Sequence, residues 1–187
     1  MKQIKTIFLC LAFVLCAGLA RVEAATVALI PLINKVEFQT VEQEKVPNMI
    51  YMNQALAVLK NKPGYMLVEN DRLRHAIKDN IDPYKLPTKE QMQTVSKKGN
   101  VDIVFAMELT NYDYSVDATM LDTRMVKMNV RANLVSYNRL TGKYTIKQCV
   151  DDSEFDETLT SRWDVCQESW IKMVKQEFDR ITRFKKK

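Results

Sequence analysis

Side chains suited to catalysis are sparse in this 187-residue sequence, whose one histidine is His75. It lies beside Ala76 and Ile77 in a segment with helical periodicity. Catalysis by a general base or an activated nucleophile needs a partner group beside the histidine. No G-x-S-x-G, HExxH or P-loop motif supplies one. We therefore interpret His75 as a helix-surface or helix-boundary residue and predict that the chain is not an enzyme.

The acidic run DDSEFDE, from Asp151 to Glu157, contains the oxygen ligands that calcium prefers. It lacks the glycine and the ligand spacing of a calcium-binding loop. A solvated loop also fails to desolvate a carboxylate pair for acid–base chemistry. The run therefore predicts an exposed loop with helix-capping character. The sequence predicts no metal and no cofactor.

Cys149 and Cys166 could form a disulfide if the protein is exported. The bond would close a loop of 17 positions, for which chain entropy predicts a stabilisation of about 3 kcal/mol. Cys166 also lies on the apolar face of a predicted helix, where a free thiol packs well. The sequence leaves both states open because it does not show whether the two Cα atoms come within bonding range.

The N-terminus has the pattern of a secretory signal peptide. Lys2 and Lys5 precede an uncharged run of 14 residues, IFLCLAFVLCAGLA, and Val22 and Ala24 occupy the −3 and −1 positions of a cut after Ala24. A membrane-spanning helix needs about 20 apolar residues, so cleavage is favoured over a retained anchor. We predict a signal peptide over residues 1–24 and one domain over residues 25–187. No later segment is apolar enough to span a membrane.

The charge balance gives little reason to expect nucleic acid as a partner. Loss of the signal peptide removes Lys2, Lys5, Arg21 and Glu23, which lowers the net charge from +5 to +3. This excess is too small for a nucleic-acid-binding surface. Much of it lies at the C-terminus, where basic residues complement the dipole of a helix or could contact an anionic surface.

The first half of the mature chain predicts alternating strands and helices. Thr26–Asn34 is an apolar run typical of a strand buried on both faces, and Pro31 predicts a bulge or strand end within it. The polar segment Val36–Val46 predicts a loop. The further elements are a helix over Pro47–Asn61, a strand over Tyr65–Glu69, a helix capped by Asn70 or Asp71 and running to Asn80, and a helix from the capping box of Thr88 and Gln91 to Lys98, stopped by Gly99.

The second half predicts an antiparallel sheet and a long helix. In Val101–Leu109, Ile103, Phe105, Met107 and Leu109 make one face apolar, and Val104 and Ala106 make the other face apolar. A strand that is apolar on both faces is typical of the centre of a sheet. Met125–Tyr137 alternates apolar and polar residues, and Lys143–Val150 follows a turn at Asn138–Gly142, which together predict a hairpin. The chain is thus predicted to be α/β, with a single mixed sheet of about five strands, helices packed against it, and a long C-terminal helix from Thr158 to Phe184.

One apolar stripe runs along that C-terminal helix and contains both tryptophans. Its members are Trp163, Cys166, Trp170, Val174, Phe178 and Ile181. Core packing explains such a stripe. Trp163, Trp170 and the basic Arg183 could instead form a partner surface, because aromatic and arginine side chains are enriched at binding hot spots.

Four segments resemble the CsgG-like and LpoB-like bacterial envelope proteins, which share features with the N-terminal domain of TolB. VALIPLIN is similar to their opening strand, and KNKPGYMLVENDRL to their second strand and the helix after it. KKGNVDIVFAMELTNYD resembles their Gly-x-Asp entry to the central strand. VRANLVSYNRLTGKYTIK resembles their antiparallel hairpin. The resemblance covers residues from about Val27 to Lys147.

The functions that this resemblance implies are binding and assembly rather than catalysis. Tyr112–Arg124 is too short and polar to add a membrane-crossing hairpin. We therefore expect an exported periplasmic or extracellular accessory module that docks on another envelope protein. The alternatives are a subunit of a homo-oligomeric envelope or secretion assembly, and a secreted hydrolase with an unrecognised site.

Overall fold

The computed structural model describes residues 24–38, 40–118, 124–156 and 162–182. The predicted signal peptide therefore lies outside the described residues, except for Ala24. The described chain forms one mixed sheet with helices on both faces, which confirms the predicted fold class. Its strands are β1 Ala25–Leu29, β2 Ile33–Asn34, β3 Tyr65–Leu67, β4 Ile103–Ala118, β5 Arg124–Asn138, β6 Lys143–Asp151 and β7 Glu154–Asp156. Its helices are α1 Val41–Lys60, α2 Asp71–Asn80, α3 Lys89–Gly99 and α4 Arg162–Ile181.

The sheet has the order β3-β1-β4-β5-β6, with parallel pairing on one side of β4 and antiparallel pairing on the other. The short strands β2 and β7 extend this path beside β4 and β5. One face of the sheet packs against α1 and α4, and the other face packs against α2 and α3. Two buried clusters therefore lie on opposite faces of the central strands.

Pro31 ends the first ladder, as the sequence predicts. β1 stops at Leu29 and β2 begins at Ile33, so the apolar run is two short strands beside β4. Proline cannot donate a ladder hydrogen bond, and Pro31 is exposed at this interruption. The break leaves a short link, residues 30–32, at the carboxyl end of β1.

The boundaries of α1 and α3 differ from the prediction. α1 begins at Val41 rather than Pro47, because the Thr40 hydroxyl caps it by accepting from the Gln43 amide at 3.2 Å. Pro47 thus lies inside the helix, and the predicted loop Val36–Val46 is helical from Val41 onwards. The capping box of α3 is confirmed. The helix includes Gly99, which was predicted to stop it, and the left-handed residue at its C-terminus is Asn100, with φ 52°.

Gly99 lies at a close contact between two helices, and the left-handed residue that ends α3 is Asn100 instead. A Cβ atom at Gly99 would lie 2.6 Å from Cδ1 of Leu73, which is well inside van der Waals contact. The missing side chain therefore lets α3 approach Leu73 of α2 closely. The two helices that cover one face of the sheet are therefore in close contact at this point.

Strand β4 is longer than predicted, and it forms an antiparallel hairpin with β5 that the sequence did not indicate. β4 continues nine residues past Leu109 to Ala118 and pairs with β5 as far as Ala118 and Arg124, with a register shift between Leu109 and Asn111. Antiparallel pairing satisfies the backbone of a segment that is too polar to be recognised as a strand. The predicted alternation on β5 is confirmed: Val126, Met128, Val130, Ala132 and Leu134 are buried, whereas Lys127 and Arg131 are exposed.

The acidic run contains a strand where a loop is predicted, although Asp152 and Glu154 are exposed as predicted. It contains β7, which pairs antiparallel with residues Met125–Lys127 of β5. Asp151 lies at the end of β6 and accepts hydrogen bonds from the hydroxyls of Ser153 and Ser169. The run therefore adds a short strand to the sheet and contacts α4 through Asp151. Glu157 lies outside the described residues.

Candidate functional site

An apolar groove of about 590 Å³ lies at the carboxyl ends of the parallel strands β1 and β3. This is the edge at which ligands bind in open α/β sheets. We call this feature the groove. Its lining consists of Leu29, Ile30, Pro31, Leu32, Ile33, Met52, Leu67, Val68, Glu69, Leu73, Arg74, Ile77, Lys78, Ile81 and Pro83.

The floor of the groove is the link between β1 and β2 together with the end of β3. Its backbone amides already donate within the fold. The Ile30 amide donates to the Phe105 carbonyl at 2.8 Å, and the Val68 amide to the Val27 carbonyl at 2.9 Å. The Leu32 amide donates to Oδ1 of Asn48 on α1 at 2.9 Å. The floor is thus fixed to β4, β1 and α1, and it offers these donors to no ligand.

One face of α2 forms a wall of the groove. Asn70 caps the helix by accepting from the Leu73 amide at 2.8 Å. The lining positions 73, 74, 77 and 78 then recur at the spacing of one helix face. Leu73 is 3% exposed and packs closely against Gly99 of α3, whereas Ile77 is half-buried beside the cavity. The wall therefore combines the aliphatic side chains of Leu73 and Ile77 with the charged side chains of Arg74 and Lys78.

The charged lining residues are Glu69, Arg74 and Lys78. Arg74 lies 3.3 Å from Asp71, but both side chains are mostly exposed, and exposed ion pairs of this kind are weak. Among the described residues, Lys78 has no carboxylate within 4 Å. Two cations one helical turn apart thus accompany one carboxylate at an otherwise apolar cavity.

This composition suits binding. Twelve of the fifteen lining residues are apolar, and the other three are the charged residues just described. The lining therefore contains no serine, threonine, cysteine or histidine that could serve as nucleophile or neutral base. Apolar pockets with a few polar groups are typical of small-ligand sites.

His75 lies on α2 but does not line the groove. It is exposed, and its ring Nδ1 lies 2.6 Å from the Asp71 carbonyl oxygen, one turn earlier in the helix. The interpretation of His75 as a helix-surface residue is therefore confirmed.

The structure does not bring Cys149 and Cys166 together. Both are buried free thiols. Cys166 contacts the sulfur of Met128 at 3.8 Å, whereas Cys149 lies beside Glu177. Glu177 is eleven residues beyond Cys166 on α4, or about 16 Å along the helix axis. A disulfide requires Cα atoms within about 7 Å, so this packing favours two separate thiols.

Of the proposed partner surface, the structure shows Trp170 to be part of the core. It is 0% exposed, and its indole N–H donates to the Pro47 carbonyl at 2.9 Å. Cys166, Val174 and Phe178 of the same stripe are also buried. The side chain of Trp163 and the whole of Arg183 lie outside the described residues.

Asp151 in the acidic run connects the end of β6 to α4. Besides Ser153 and Ser169, Asp151 lies 3.7 Å from the Lys172 ammonium. Within residues 24–182, as far as they are described, no three His, Cys, Asp or Glu side chains are grouped to hold a metal ion. Nor does any described helix combine the length and apolarity that a membrane crossing requires.

Neither a family model nor a curated protein sequence matches this chain. Solved structures do. The hypothetical protein CT253 from Chlamydia trachomatis has a TM-score of 0.53 and 11% identity, over 84% of this chain and 95% of that one. At this identity the match shows a shared fold, and a fold alone does not define an activity.

Two further neighbours have lower scores. The PelC dodecamer from Paraburkholderia phytofirmans has a TM-score of 0.43 and 7% identity, over 88% of this chain and 91% of that one. The LpoB C-terminal domain from Escherichia coli has a TM-score of 0.37 and 12% identity, over 72% and 87%. The LpoB-like, CsgG-like and TolB-like resemblances of the sequence all stay predictions.

Proposed function

We propose that this protein is an exported, non-catalytic binding module of the cell envelope, and that the groove receives an apolar group of another envelope component. The observation that supports this most is the composition of the groove, whose twelve apolar side chains surround a cavity of about 590 Å³. Apolar surface that remains accessible in a concave site favours association, because its burial in a complex removes it from water.

The envelope setting is supported by the signal-peptide pattern of residues 1–24 and by the segments that resemble envelope proteins. The non-catalytic role is supported by the chemistry of the groove. Its only ionisable groups are Glu69, Arg74 and Lys78, and His75 lies outside it. An activated nucleophile would need a nucleophilic side chain and a base within hydrogen-bond reach of each other, and general acid–base catalysis would need two such titratable groups.

A homo-oligomeric assembly is the second candidate, supported by β6, which is an edge strand of the sheet that the described residues form. β6 is the last strand of the sheet path, and Ile146 and Val150 on it are 55% and 47% exposed. An exposed edge strand with apolar side chains is a template for pairing with another chain. A second copy of this protein could add its own strand there.

The binding role is tested with protein purified after export from cells that express the full chain. Wild type, Ile77→Asp in the groove and Ile146→Asp on β6 are each used to capture components of an envelope extract. We expect wild type and Ile146→Asp to retain a specific component and Ile77→Asp to lose it. Circular dichroism melts verify that all three proteins are folded.

Two results would overturn the proposal. One is capture that survives Ile77→Asp unchanged, because the groove would then be unused. The other is turnover of peptide, glycan or ester substrates by the pure protein. Light scattering on the same samples tests the second candidate: an oligomer that dissociates with Ile146→Asp supports assembly through β6, and a monomeric wild type excludes it.

A further inference from the structure

We infer that the groove binds a single acyl chain that carries an anionic head group. This inference rests on the proposed function, since it names the chemical class of the ligand for the same site. It depends on three properties of the groove: the shape of its side chains, the state of its backbone donors and the sign of its charges.

The apolar lining is aliphatic. It consists of leucine, isoleucine, valine, methionine and proline, without a single aromatic ring. Nucleobases and sugars are commonly recognised by stacking on aromatic side chains, and sugars further need neutral hydrogen-bonding groups, which this lining lacks. Flexible aliphatic chains need neither feature, so the lining favours an acyl chain.

A peptide is a poorer fit than an acyl chain. An extended peptide brings amide groups into the site, and an amide that is buried without a partner is strongly unfavourable. The amides of Ile30, Leu32 and Val68 on the groove floor already donate inside the fold. A volume of about 590 Å³ also lies within the range of small-molecule pockets, about 300–1,000 Å³.

The charges of the lining favour an anionic head group, because the two cations Arg74 and Lys78 outnumber the one carboxylate, Glu69. Arg74 and Lys78 are four residues apart on α2, so they lie on the same side of the helix. Lys78 lacks a carboxylate partner among the described residues, and Arg74 has only the exposed Asp71. A carboxylate or phosphate head group would pair with these cations while the chain occupies the apolar cavity.

The test measures binding of oleate to the exported protein by isothermal titration, with oleylamine as the ligand of opposite charge. We expect saturable one-to-one binding of oleate and at least about tenfold weaker binding of oleylamine. Ile77→Trp, which fills the groove, should weaken oleate binding at least about tenfold. Ile146→Trp on exposed β6 is its matched control and should leave binding unchanged.

Lys78→Glu keeps the test decisive if Ile77→Trp does not fold, because Lys78 is exposed. It should weaken oleate severalfold and favour oleylamine, whereas Lys143→Glu, an exposed control on β6, should change neither. Phosphatidylglycerol vesicles distinguish a membrane lipid from a free fatty acid as the source of the acyl chain.

Equal affinity of wild type for oleate and oleylamine, or equal affinity of wild type and Ile77→Trp for oleate, would overturn the inference. If oleate does not bind but Ile77→Asp still loses its envelope component, the acyl ligand is wrong and the binding role stands.

Discussion

Asp102 connects the beginnings of β1 and β4 to the end of β5 through its carboxylate. Oδ2 accepts from the Thr26 amide at 2.9 Å and from the Thr26 hydroxyl at 2.8 Å. Oδ1 accepts from the Arg139 guanidinium at 2.7 Å. Burial alone would raise the pKa of Asp102, but hydrogen bonds from Arg139 and Thr26 outweigh burial and hold it below its ordinary value of 3.8.

Substitution of Asp102 should therefore change stability in a pH-dependent way. A folded pKa below the unfolded one gives stability that is complete above the unfolded pKa and is lost as the pH falls through the folded pKa. At pH 7, Asp102→Asn should lower the free energy of unfolding by about 2 kcal/mol, since it removes charge-assisted hydrogen bonds. Urea melts from pH 7 to pH 2 should show the difference from wild type shrinking with acid.

Asp79→Asn is the control, because Asp79 is exposed on α2, and it should stay within about 0.5 kcal/mol of wild type. A difference between wild type and Asp102→Asn that stays constant over this pH range would show that the carboxylate charge of Asp102 is not what stabilises the strands.

The two buried cysteines should resist alkylation in the folded protein. Burial raises the pKa of Cys149 to about 12 and that of Cys166 to about 11, and the thiolate is the reactive species. Iodoacetamide at pH 8 should therefore modify neither thiol in buffer but both in urea, as read by intact mass. A disulfide would instead give a mass lower by two hydrogens and no modification before reduction.

The alternation on β5 gives a direct test of that strand. Val130 is 0% exposed and Arg131 is exposed on the opposite face. Val130→Asp should lower the free energy of unfolding by at least about 3 kcal/mol, because the core offers its charge no partner. Arg131→Asp should cost less than about 1 kcal/mol. Equal losses in urea melts would show that the register of β5 is wrong.

How well each element could be predicted from sequence depended on how local its determinants are. The capping box at Thr88, the strand end near Pro31 and the period-2 alternation of β5 each depend on residues within a few positions, and the structure confirms them. The end of β4 and the strand β7 depend on pairing with β5, so their own polar sequences did not indicate strands. The start of α1 was missed because Pro47 is also a common first residue of a helix.

The groove could not be predicted because it has no motif. Its lining comes from the link after β1, the end of β3, one residue of α1, and α2 with the turn after it, and these meet only through the order of the sheet. Two local signals were present: Pro31 interrupting an apolar run, and the apolar face of α2. Neither indicates a cavity without the pairing of β1 with β3 and β4.

Export should remove the signal peptide, so that the mature protein begins at the first strand of the fold. Lys2, Lys5 and the apolar run to Ala20 predict cleavage after Ala24, and β1 begins directly afterwards at Ala25. Edman sequencing of the protein from the periplasm or medium should therefore read Ala25-Thr26-Val27. A mature protein that still contains Leu19 would contradict this prediction.

Trp170 joins parts of the domain that are distant in sequence, so it tests how the domain holds together. It is 0% exposed on α4, and its indole donates to Pro47 on α1 across 123 residues. Trp170→Ala should lower the free energy of unfolding by about 3–5 kcal/mol, a large share of the about 5–15 kcal/mol that a domain has. Thermal melts by circular dichroism should show one cooperative transition at a much lower temperature.

Trp170→Phe separates packing from the hydrogen bond at the same position. It keeps an aromatic ring in the core but leaves the Pro47 carbonyl without the indole donor, so it should cost less than Trp170→Ala, about 1–3 kcal/mol. A Trp170→Ala protein that melts like wild type but no longer captures its envelope component would instead place the partner surface on α4. We expect the opposite. Because Trp170 connects α4 to α1 in one buried cluster, its loss should lower the free energy of unfolding of the whole domain rather than change one binding surface.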